Sequence, residues 1–122
     1  MHTNHGEIRS HLYDNALAEA SRISHMIAGS ELYRRYQAAK TAVAKDFRIS
    51  NMLEEYKRLN TEYRQKSAHG AYNFDSEKQV SGLYWDLMLN NDAAEYLRCE
   101  RDLAAVISGV VEKLTGDCPL YL

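Results

Sequence analysis

The sequence predicts an all-α fold, a bundle of about five helices with long antiparallel members that pairs into a dimer, and three observations carry that expectation. One proline, Pro119, and six glycines in 122 residues leave few breakers, which favours long helices over a sheet that needs many turns. Apolar residues recur three or four apart along most of the chain, the spacing that stacks side chains on one helical face. A hydrophobic content of 45% beside 26% charged residues, with a mean hydropathy of -0.53, suits amphipathic helices around one modest core. The length is about one domain's worth, so a single domain over residues 1–122 is expected, with short disordered ends at 1–5 and 117–122.

The first periodic segment places Ile8, Leu12, Ala16, Ala20, Ile23 and Ile27 on one face and runs to about Ala28. Gly29 can end it, and Ser30 can cap the next helix by accepting a hydrogen bond from a first-turn N–H. Leu32, Tyr36, Ala39, Val43 and Phe47 form the second stripe. The pattern wavers after Asp46, and Ser50 or Asn51 offers a cap before Met52, Leu53, Tyr56, Leu59 and Tyr63 resume it as a third helix nearly continuous with the second. Glu54 with Arg58 and Glu62 with Lys66 are i,i+4 pairs worth about 0.2–0.5 kcal/mol each, and they mark a solvated face. Residues 68–74, with Gly70 and Asn73, form a loop, and Asp75 is the expected N-cap of a fourth helix carrying Val80, Leu83, Tyr84, Leu87 and Met88. Asn90-Asn91-Asp92 breaks the chain before a last helix that is expected to stop at Thr115-Gly116.

In that last helix Ala93, Tyr96, Glu100, Leu103, Ile107, Val110 and Leu114 follow alternating steps of three and four, a heptad-like seam. A charged residue within such a seam trades stability for register or partner choice. Tyr96, Glu100, Leu103, Ile107 and Val110 are therefore the expected interface of a dimer or higher oligomer, with Glu100 setting partner choice.

The net charge of -2 disfavours a strongly basic nucleic-acid binder and a polyanionic tail. No DNA partner is expected. The charge is unevenly spread, at -1 over residues 1–29, +4 over 30–66 and -5 over 75–117. Opposite signs favour packing the middle helices against the last. The longest apolar runs, such as Leu103-Ala104-Ala105-Val106-Ile107, fall far short of the roughly 20 residues of a membrane span, and no basic segment precedes an apolar stretch at the N-terminus. Two cysteines without a CxxC, Cys99 and Cys118, fit a reducing cytoplasm.

Catalytic signals are absent from the pattern. The five histidines are scattered and form no HExxH or paired ExxH motif, so surface histidines are the favoured interpretation and no metal site is expected. Two thiolates leave a tetrahedral site half made. No GxSxG, Walker loop or GxGxxG occurs, and Glu54, Asp86, Glu95 and Asp102 each lie beside a basic neighbour on a solvated helix. A non-enzymatic role follows. Nine tyrosines against two phenylalanines suit core margins and protein interfaces, since the ring packs while the hydroxyl reaches water or a partner. Lys57, Arg58, Arg64 and Lys66, interleaved with Tyr56 and Tyr63, also carry an alternative: direct binding of single-stranded RNA by the basic segment 30–66.

Three stretches carry a family resemblance: Ser30-Glu31-Leu32-Tyr33-Arg34-Arg35-Tyr36-Gln37-Ala38-Ala39-Lys40, Leu53-Glu54-Glu55-Tyr56, and Leu87-Met88-Leu89-Asn90 leading to Glu95-Tyr96-Leu97-Arg98-Cys99-Glu100. With residues 16–27 as the lead-in, the chain resembles the YlbF/YmcA family of small bacterial helical proteins. The resemblance implies a self-associating all-α bundle without enzymatic activity, acting as a cytoplasmic regulatory or adaptor subunit. It implies pairing with itself or with a paralogous small helical protein. It also implies a complex with YaaT that modulates the endoribonuclease RNase Y, and hence mRNA processing, competence, sporulation and biofilm formation. That complex is associated with iron–sulfur clusters. This sequence departs there, because the cysteine-rich tail of some members is missing and only Cys118 lies near the C-terminus, so no cofactor is expected.

Overall fold

The computed structural model describes residues 5–117 and contains five helices: α1 (His5–Ala28), α2 (Glu31–Ala44), α3 (Phe47–Ala68), α4 (Phe74–Met88) and α5 (Asn91–Asp117). His5 and Asp117, assigned by the sequence to disordered ends, are helical. The rest of those ends, including Cys118, lies outside the described residues.

The starts of α2 to α5 are each built from one short polar side chain. Ser30 Oγ accepts from Tyr33 N at 3.1 Å and donates back to the Ile27 carbonyl at 2.6 Å, so one hydroxyl closes α1 and opens α2. Asp46, rather than Ser50 or Asn51, caps α3, its Oδ1 accepting from Ile49 N at 3.2 Å. The break at Lys45-Asp46 resets the helical phase. Phe47, expected to close the α2 stripe, instead opens α3 and stands 81% exposed, while Ile49 and Leu53 turn inward. At the far end of α3, Gly70 takes φ +80°. Gly70 N then donates to Ser67 O at 3.0 Å and Ala71 N to Lys66 O at 2.8 Å, a paired closure that needs the left-handed glycine.

Asn73, two residues before the expected Asp75, caps α4 by accepting from Ser76 N at 3.2 Å. Asp75 and Glu77 thereby fall in the first turn, where carboxylates suit the positive end of the helix dipole. Asn90 Oδ1 caps α5 by accepting from Ala93 N at 2.9 Å. α5 does not stop at Thr115-Gly116. A helical glycine costs about 1 kcal/mol without ending a helix by itself, and Thr115 Oγ1 to Val111 O at 3.0 Å with Lys113 Nζ to Asp117 Oδ1 at 3.2 Å holds the last turn.

The core sits where α2, α3, α4 and the first half of α5 meet. Ala39 and Val43 of α2, Ile49 and Leu53 of α3, Leu87 of α4, and Ala93 and Tyr96 of α5 are buried together, with Tyr36, Met52, Tyr56 and Leu97 packed around them. α2 packs on α5 most extensively, and Ala39, Ala93 and Ala94 let the two backbones approach. α3 packs on α4, and α1 packs on α2. The expected charge complementarity is realised across these contacts: Arg35 of α2 pairs with Glu95, and Lys57 of α3 with Glu100, both on α5. Among the described residues, no helix is long and apolar enough to cross a membrane.

Candidate interaction surface

The seam of α5 divides near Glu100. Above it, Tyr96 is 6% exposed, and its ring stacks on Tyr36 with centroids 5.3 Å apart and planes at 29°. Burial raises the Tyr96 phenol above its ordinary value. Lys57 Nζ donates to Glu100 Oε2 at 2.7 Å and to the Tyr96 hydroxyl. Tyr96 and Glu100, expected at an interface between chains, thus face α2 and α3 of their own chain. A heptad-like spacing marks a face to be buried without naming what buries it, and here α2 and α3 do.

Below Glu100 the seam opens. Leu103 and Val110 are half-buried, and Ile107 is 52% exposed. Ile107, Val110 and Val111 face Ala20, Ile23, Ser24 and Ile27 of α1 and Tyr33 of α2 across a groove of about 370 Å³. α1, 24 residues long, has no buried residue. Ile8, Leu12, Leu17 and Met26 on α1 are exposed, as are Val106, Val111 and Leu114 on α5. Exposed apolar residues therefore lie on both α1 and the second half of α5. The stripe Ile8 to Ile27 was legible in the sequence, but its exposure among the described residues was not, because periodicity carries no information about which neighbour arrives.

A tighter polar cluster fixes α2 against α5. Arg35 Nε donates to Glu95 Oε1 at 2.9 Å, and Cys99 Sγ donates to the same oxygen at 3.5 Å. The Arg35 hydrogen bond, helped by those of Cys99 and the charge of Arg98, holds the Glu95 carboxyl below its ordinary value. Burial first, and the Glu95 carboxylate second, push the Cys99 thiol up. Cys99 is therefore an enclosed thiol, 2% exposed and hydrogen-bonded to Glu95. Among the described residues no three His, Cys, Asp or Glu side chains gather to hold a metal ion.

The four basic residues of the RNA-binding alternative part company. Arg58 is engaged by Glu55 at 2.9 Å and Glu62 at 3.2 Å on its own helix. Lys66 lies in the last turn of α3. Lys57 and Arg64 instead line a separate cleft between α3 and α5.

Comparison with known proteins bears on the family and the fold. Residues 16–117 match the family described as "Control of competence regulator ComK, YlbF/YmcA". A UPF0342 protein of Caldicellulosiruptor bescii is 32% identical over 89 residues, 72% of this chain and 74% of its relative. A UPF0342 protein of Caldicellulosiruptor saccharolyticus is 28% identical over 92 residues, 75% of this chain and 77% of its relative. Among solved structures, the X-ray crystal structure of Bacillus subtilis RicA in complex with RicF contains a chain that superposes with a TM-score of 0.54 at 19% identity, covering 82% of this chain and 90% of that one. The last likeness establishes the helical fold. The family match takes in all of α2 to α5 and the groove-lining half of α1, and on that extent the chain belongs to the YlbF/YmcA family.

Proposed function

We propose that this protein is a non-catalytic helical subunit of a cytoplasmic regulatory assembly, acting by binding other proteins through α1 and residues 106–114 of α5. The observation that carries the proposal is α1 itself. A helix with a complete apolar stripe and no buried residue leaves in water surface that would return about 25 cal/mol for each Å² covered. The partner this face suits is another amphipathic helical pair, from a second copy or a paralogous chain. That RicA, of similar fold, is seen in complex with RicF supports the same use here. An assembly of the kind that modulates RNase Y-dependent mRNA processing is the cellular setting proposed.

The test is mass spectrometry of what co-purifies with the tagged protein from its native cells, beside an Ile107→Asp/Val111→Asp variant that retains its helical circular dichroism. Recovery of a homologous small helical protein or a differently tagged second copy, with its loss in the variant, is the expected result. A wild-type chain recovered as a lone monomer would contradict the proposal.

A further inference from the structure

The cleft between α3 and α5 lies apart from the apolar groove and differs from it in chemistry. Its volume is about 520 Å³, within the range of about 300–1,000 Å³ common for small-ligand sites. Lys57, Arg64, Arg98 and Arg101 line it against one carboxylate, Glu100. Glu100 is occupied by Lys57 at 2.7 Å, so three guanidinium groups remain. Their own pairings are weak or absent. Arg98 lies 3.5 Å from Glu95, a carboxylate already held by Arg35, and Arg101 reaches only its neighbour Asp102, at 3.4 Å. Arg64 makes no ion pair or hydrogen bond among the described residues, and its charge is felt at the Tyr56 hydroxyl.

A concentration of three arginines in a chain of net charge -2, Arg64 on α3 with Arg98 and Arg101 on α5 lining one cleft, is matched to a dianionic group such as phosphate, which a guanidinium binds bidentately. The remaining lining gives the other half of the ligand. Tyr56 and Tyr84, half-buried with centroids 6.0 Å apart, offer aromatic surface to a flat ring, with Met88 and Leu97 beside them. Asn60 and Thr61 add neutral donors and acceptors suited to a heteroaromatic edge. A simple acidic peptide would use the arginines and leave these groups idle.

We propose that this cleft binds a nucleoside phosphate, the base against Tyr56 and Tyr84 and the phosphate among Arg64, Arg98 and Arg101. The ligand is either a free nucleotide or one unit of a single-stranded RNA. The site does not depend on the apolar groove being an interface.

Isothermal titration calorimetry on the full chain tests it with four probes: AMP, adenosine, inorganic phosphate and a short oligoadenylate. AMP is expected to bind one per chain, at least about tenfold tighter than adenosine or phosphate, because both halves of the lining are used together. Arg64→Ala, checked for an unchanged melting temperature, should weaken AMP about tenfold, the loss of one charge-assisted contact. Lys113→Ala, at the exposed end of α5, should leave it unchanged. Oligoadenylate binding tighter than AMP, steeply reduced by salt and weakened by Arg64→Ala, identifies an RNA strand as the source. AMP binding at least as tight identifies a free nucleotide. Phosphate binding as tight as AMP, affinity indifferent to Arg64→Ala, or no binding by any probe would overturn the proposal.

Discussion

Glu95 is a half-buried carboxylate shared by Arg35, Cys99 and Arg98, and its titration should be visible in stability. Its folded pKa lies below the ordinary value of 4.5, chiefly because Arg35 donates to it. A lowered carboxylate pKa contributes stability that is present above the unfolded value and is lost as pH falls through the folded value. Glu95→Gln should therefore lower the melting temperature at pH 7 and make the acid limb below about pH 4.5 shallower than in the wild type. A melting profile that keeps the same acid slope in the variant would show that Arg35 and Glu95 do not hold α2 to α5. The cluster was hidden in the sequence because residues 35 and 95 come together only through the fold. Opposite net charges on the two segments pointed to their packing, but not to this pair.

At the scale of the elements, all five helices were legible, since each has its own period and α2 to α5 each have a polar cap residue. The errors fell at junctions. Asp46 and Asn73 cap their helices where Ser50 or Asn51 and Asp75 were expected, because several competent side chains stand within a few residues and only the packing phase of Ile49 and Leu53, or the turn at Gly70, selects among them. Asp46→Ala should cost about 1 kcal/mol in urea denaturation, the usual loss for an N-cap, while Ser50→Ala should cost markedly less. Equal costs would mean that the start of α3 is not fixed by Asp46. The seam of α5 shows the same limit at greater length: one continuous pattern from Ala93 to Leu114 serves the chain's own core in its first half and faces the α1 groove in its second.

For the whole molecule, the core is off-centre. It is drawn from residues 36–56 and 87–97, while α1 and the second half of α5 lie outside it and expose many of their apolar residues. That division, a core on one side with exposed apolar residues of α1 and α5 beside it, is the physical basis of the proposal that the molecule works by assembly. The direct measurement is amide hydrogen exchange on the assembly isolated from cells, compared with the Ile107→Asp/Val111→Asp protein. The account predicts strong added protection at residues 20–27 and 106–114 in the wild-type assembly, with α4 exchanging alike in both. Equal exchange at those two segments, with protection appearing elsewhere, would contradict it.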